Sequence, residues 1–178
     1  MSFKEEWSNP YIRTVILLRI GAYLFIPFYP LEAIALSIIL DMLDWHILSW
    51  GNVPKEVYHK IDKPLDYIQY IFMIPMLIGT HIFIAYMGLL IWRTIGHYLY
   101  SKYQKRFVFI LFPNIAEYIA IVYLVSERFH LNIDPLSTQV FTLILIFKLI
   151  QEIWIHYLAK GSSYDMAKNL KAFLYRKY

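Results

Sequence analysis

Six long apolar runs, at about 11–29, 31–50, 61–79, 80–100, 107–126 and 137–158, leave this chain few folds to choose from. Each is close to the ~20 residues that a helix needs to cross about 30 Å of hydrocarbon. Strands of a membrane barrel would alternate apolar and polar side chains over about ten residues, so runs this uniform predict helices. Breakers fall between them. Pro30 splits the first from the second, Gly51, Asn52 and Pro54 follow the second, Asn132 and Pro135 precede the sixth, and the third and fourth meet near Gly79. The composition agrees: 59% of the 178 residues are hydrophobic and the mean hydropathy is +0.46, more than one soluble core of this size uses. The expectation is an all-α polytopic membrane protein, a six-transmembrane-helix bundle forming one domain over 1–178. A short basic tail at about 162–178, with Met166, Leu170, Phe173 and Leu174 at helical spacing, would lie along the membrane surface.

Charge orients the bundle. Lys55, Lys60 and Lys63 follow the second run, Lys102, Lys105 and Arg106 the fourth, and Lys160, Lys168, Lys171, Arg176 and Lys177 the sixth. By the positive-inside rule both termini are cytoplasmic in a multi-pass integral membrane protein. The first nine residues carry Lys4, Glu5 and Glu6 and show no cleavable signal, so the first run is expected to stay as a span. With no cysteine, disulfides and thiolate metal sites are excluded. No phosphate-binding glycine loop, nucleophile elbow or nucleic-acid motif occurs.

Against this apolar background four aspartates stand out. Asp41 and Asp44 are three apart near the end of the second run, and Asp62 and Asp66 four apart at the start of the third. Each pair projects from one face of its own helix, and two such faces meeting across a short hairpin make a four-carboxylate cage near the cytoplasmic boundary. A charge at a helix centre costs about 2.5–3.5 kcal/mol on insertion scales, so acids kept there point to a function. Hard oxygen ligands suit Mg²⁺, Mn²⁺ or Ca²⁺. The bland alternative is that some of these acids are solvated and pair with Lys60 or Lys63.

Counting from Asp41, the others fall at offsets 3, 21 and 25. That spacing resembles the CDP-alcohol phosphatidyltransferase signature, D-x-x-D-G-x-x-A-R followed by G-x-x-x-D-x-x-x-D. Ile16, Leu17, Leu18 and Arg19, with Ile26 and Pro27 shortly after, are similar to that family's first helix. The resemblance covers about residues 9–80 and implies the family's six-span fold. It implies Asp41, Asp44 and Asp62 as metal ligands and Asp66, within the same metal cage, as general base. It also implies a CDP-linked lipid donor, an alcohol acceptor, membrane lipids as surroundings and a homodimer. The non-acidic half of the signature differs: Trp45, Leu48, Ser49 and Tyr58 stand where the family has glycine, alanine, arginine and glycine. Large side chains there would fill the space a cytidine nucleotide uses, and the lost arginine removes a fork for phosphate.

The second half adds polar residues at helical spacing. Arg93 and His97 are four apart, Asn114 and Glu117 three apart, and Lys148, Glu152 and His156 form a stripe. They make either a substrate pocket, with Arg93 and Lys148 as phosphate partners, or interhelical salt bridges such as Glu117 with Lys148 and Glu152 with Arg93. Three functions follow as expectations. The first is metal-dependent transfer of a phosphatidyl or phosphoalcohol group in phospholipid synthesis. The others are a pseudoenzyme that keeps the cage but has lost the nucleotide pocket, and a transporter of ions or small solutes.

Overall fold

The structure is a computed structural model that describes residues 7–103, 105 and 107–154, except the side chains of Trp45, Lys55, Glu56, His59 and Lys60. The basic tail and His156 therefore lie outside the described residues. Among the described residues there are no strands and seven helices: α1 (Pro10–Leu24), α2 (Pro30–Trp50), α3 (Lys55–Leu77), α4 (Phe83–Tyr103), α5 (Val108–Leu111), α6 (Ile115–Phe129) and α7 (Thr138–Ile153).

This overturns the six-span bundle: among the described residues no helix is long and apolar enough to cross a membrane. Length is one reason. α1 stops at Leu24 because residues 25–29 turn back on themselves before Pro30, leaving 15 residues, and α6 and α7 have 15 and 16. At 1.5 Å per residue these helices cover about 22–24 Å, short of the roughly 30 Å of hydrocarbon. Charge is the other. The longer helices carry Glu32, Asp41 and Asp44 (α2), Asp62, Lys63 and Asp66 (α3), and Arg93 and Lys102 (α4). The fifth run is not one helix at all, because Pro113 follows α5 and a new helix begins at Ile115. α3 begins at Lys55, ahead of its apolar run, so His59 and Lys60 belong to the helix.

The chain forms two compact units, Met1–Thr80 and His81–Tyr178. In the first, α1 packs on α2 and α3, which also touch each other. Asn9 caps α1, its Oδ1 accepting from the Tyr11 and Ile12 N–H groups (2.9 and 3.4 Å), with Pro10 as the first helical residue. Ile12, Val15, Arg19, Ala22 and Tyr23 make the buried stripe of α1 at the expected spacing of three and four, with an arginine at its middle. α2 ends at Gly51, where Asn52 takes a left-handed φ of 50° and the Val53 N–H returns to the Leu48 carbonyl (3.1 Å). A Cβ at Gly51 would lie 2.5 Å from the Tyr11 ring, so a larger residue there would force that ring to shift.

Deeper in this unit the Ser37 hydroxyl donates to Gln69 Oε1 (2.7 Å), tying α2 to α3. The inward set of these helices is partly polar: Arg19, Ser37, Asp44, Asp62 and Gln69 are buried, whereas Leu17, Leu18, Ile38, Ile39, Met42 and Leu43 are exposed.

In the second unit α4 packs on α5 and α6, and α7 packs on α6 and α5. Gly96 allows the approach of the chain after α5, because a Cβ there would run into Phe112. The Arg93 Nη1 donates to the Phe112 carbonyl (2.6 Å), satisfying an acceptor released where Pro113 interrupts the helix.

Candidate metal centre

The four aspartates converge. α2 brings Asp41 and Asp44, α3 brings Asp62 and Asp66, and α1 places Arg19 in their midst. Arg19 Nη1 donates to Asp41 Oδ1 (3.0 Å), Asp44 Oδ2 (2.8 Å) and Asp62 Oδ1 (3.1 Å), and Nη2 donates to Asp66 Oδ1 (2.7 Å). Nε donates to the Tyr23 hydroxyl one helical turn on (2.6 Å). Nη1 has two hydrogens for three carboxylates, so its bonds are shared. Lys63, anticipated as a partner for these acids, donates from Nζ to Asp62 Oδ2 (2.7 Å) and Asp66 Oδ2 (3.2 Å).

Burial grades the site from inside out. Arg19 and Asp44 are each 1% exposed and Asp62 3%, while the side chains of Asp66 and Asp41 are 25% and 49% exposed. The carboxyls accordingly differ in acidity. Burial lifts the Asp44 carboxyl to about 7, outweighing the pull of Arg19. For Asp62 burial pushes the same way, but the Lys63 ammonium and then the Arg19 guanidinium outweigh it and hold the carboxyl below its ordinary value. Burial opposes the charge on Arg19, yet Asp66 and Asp41 more than compensate, so the guanidinium stays protonated.

Asp41, Asp62 and Asp66 each offer an oxygen, and these oxygens all lie within 4.8 Å of one another. A hard divalent ion takes oxygen ligands at about 2.0–2.6 Å, which sets opposite ligands roughly 4–5 Å apart. The trio could therefore hold such an ion. Asp44 faces the same guanidinium from deeper in the unit and lies outside the trio.

The positions where the chain departs from the signature are also placed. Leu48 (0% exposed) and Tyr58 (3%) are buried in the first unit, and Ser49 is exposed, its hydroxyl donating to the His46 carbonyl (2.7 Å). Trp45 lies on α2 between Asp44 and His46, and its side chain is outside the described residues.

The second unit holds the other polar set. Glu152 Oε1 lies 3.6 Å from both Arg93 Nη1 and Lys148 Nζ, and all three residues are buried. Lys148 also donates to Gln151 Oε1 (2.8 Å), as does the Tyr118 hydroxyl (3.1 Å), and Asn114 donates to Glu117 (2.8 Å). Arg93 lies over the Phe109 ring, 4.8 Å from its centroid, and His97 packs against the same ring. The expected Arg93–Glu152 pair is present, and these contacts describe an interhelical ionic network. Elsewhere in this unit, His81 Nε2 meets Asp134 Oδ1 (3.1 Å) at an open cleft of about 370 Å³ also lined by Glu127 and His130, a grouping no sequence pattern announced.

Arg19 is the site residue that spacing did not single out. Its signal was available: a lone arginine amid Ile16, Leu17, Leu18 and Ile20, with a tyrosine four residues on, must turn inward to a polar partner or remain an uncompensated charge. Compared with protein-family models, with curated proteins and with solved structures, the chain matches none.

Proposed function

We propose that the chain is a metal-dependent transferase that moves a phosphatidyl or phosphoalcohol group to an alcohol, with the aspartate cage of the first unit as its centre. The observation that supports this reading is the trio of carboxylate oxygens within 4.8 Å, contributed by two helices and braced by a third. Asp41, Asp62 and Asp66 would hold the ion, Mg²⁺ or Mn²⁺ by the hardness of the donors, with Ca²⁺ a larger alternative. When bound, such an ion neutralises charge building on a diphosphate as its anhydride bond breaks.

The chain's own groups have distinct tasks in this scheme. Asp66 is partly exposed and accepts at a carboxylate oxygen the proton of the acceptor hydroxyl. Lys63 fixes its orientation by holding Oδ2. The exposed apolar side chains flanking the cage on α1 and α2, Leu17, Leu18, Met42 and Leu43 among them, suit contact with lipid and a lipid-linked donor. The buried Tyr58 and Leu48 require a donor pose unlike the one the signature implies.

One observation favours a second reading. Arg19 by itself gives every carboxylate of the cage a hydrogen-bond partner, which is how a non-catalytic ionic staple between three helices would be built. Binding of Mn²⁺ and of CDP-diacylglycerol to purified wild type and Asp62→Asn separates the two. Metal-dependent binding of the nucleotide lipid by wild type, lost in Asp62→Asn, is the transferase result. A wild type that takes up neither metal nor nucleotide lipid leaves only the staple.

A further inference from the structure

The guanidinium of Arg19 occupies the very oxygens a metal would need. Each acid of the metal-capable trio accepts from it: Asp41 from Nη1 at 3.0 Å, Asp62 from Nη1 at 3.1 Å and Asp66 from Nη2 at 2.7 Å. A cation bonded to all three cannot share them with a second cation at contact distance, because two positive charges a few ångströms apart repel strongly where water is scarce. We propose that Arg19 is an exchangeable counter-cation, so that the guanidinium and a divalent ion are alternative occupants of one carboxylate cage and Arg19 sets how tightly the ion is held. This rests on the reading of the cage as a cation site.

Of the two cations at the cage, Arg19 is the one that controls the exchange. Nε is anchored on the Tyr23 hydroxyl at 2.6 Å, and the guanidinium carbon lies 5.9 Å from that ring's centroid. Tyr23 sits on the same helix, four residues on, and its bond to Nε steadies the guanidinium in its engagement with the acids. Lys63 is the other cation, but it reaches the outer oxygens, Asp62 Oδ2 and Asp66 Oδ2, from a side chain that is 37% exposed. Withdrawal of Lys63 toward solvent needs no rearrangement of the unit, whereas withdrawal of the buried Arg19 does. Arg19 is therefore the controlling occupant.

The test is Mn²⁺ affinity, read by electron paramagnetic resonance of the free ion, with thermal unfolding in Mn²⁺ and in chelator as the second measurement. The proteins are full-length wild type, Arg19→Gln and Tyr23→Phe. Removing the competing charge is expected to tighten Mn²⁺ binding in Arg19→Gln by about tenfold or more. That variant should also melt lower than wild type in chelator, where four carboxylates face one another, and recover when Mn²⁺ replaces the missing cation. Tyr23→Phe loosens the guanidinium without altering charge and should tighten binding in the same direction by a smaller factor. If Arg19→Gln does not fold in chelator, Tyr23→Phe decides alone.

A purely structural arginine gives the opposite sign, since losing it would scatter the ligands and weaken the metal. Affinities unchanged or weakened in both variants overturn the exchange. In that case tight Mn²⁺ binding by wild type leaves the transferase reading standing, and no binding by any protein removes both. Binding by Arg19→Gln alone would show that Arg19 occupies the cage permanently, and overturns both the exchange and the metal-dependent activity of the native chain.

Discussion

Replacing Asp44 by asparagine should change how stability depends on pH, and the sign follows from burial. In the folded protein the Asp44 carboxyl is lifted to about 7, whereas its ordinary value is 3.8. Between those two pH values the folded chain keeps a proton that the unfolded chain has released. This group therefore contributes stability fully present below about pH 4 and lost as pH rises through about 7. A gap of roughly three pKa units at 1.36 kcal/mol each makes the total about 4 kcal/mol. Asparagine is nearly the same shape, presents an oxygen to Arg19 Nη1 where Asp44 Oδ2 now accepts at 2.8 Å, and does not titrate. The stability of Asp44→Asn relative to wild type should therefore rise by up to about 4 kcal/mol between about pH 4 and pH 8. Urea unfolding of both proteins, followed by circular dichroism across this range with chelator present, measures the difference. Asp62, held below its ordinary value, works in the opposite direction in both proteins. Stability profiles that run parallel would show that Asp44 is ionised throughout and that the argument from burial is wrong.

Two further outcomes concern the second unit. Glu152→Ala leaves Arg93 and Lys148 buried without the carboxylate between them, and thermal unfolding should report a loss of about 3–5 kcal/mol; a loss below about 1 kcal/mol would mean the network carries little. Gly96→Ala places a methyl against Phe112 and should destabilise by about 1–3 kcal/mol in the same assay, whereas Gly88→Ala, with open space around it, should not destabilise at all.

Much of the helix pattern was legible from the chain itself. Pro30 opens α2, and Gly51 to Pro54, Gly79 and Asn132 to Pro135 fall between helices, where a proline at a helix start and left-handed turns follow from local sterics. Spacing of three and four set which side chains share a face, and so paired Asp41 with Asp44 and Asp62 with Asp66. The Arg93–Glu152 pair was foreseeable for the same reason, as two ionisable residues in apolar helices need each other.

Apolar letters alone did not reveal where helices stop. The first run continues in sequence to Tyr29, but its last residues serve the turn into α2, and the fifth run contains Pro113, where one short helix ends before the next begins at Ile115. Hence a count of apolar residues predicted spans that the helices do not have the length or uniformity to make.

Periodicity is a property of one helix, and it fixed the acids as pairs with the capacity to hold a cation. Which faces meet is decided by packing between segments far apart in sequence. Arg19 lies 22 residues from Asp41 and 47 from Asp66. No local rule could place its guanidinium among all four carboxylates, because that position is set only when α1 docks its buried stripe against α2 and α3 together.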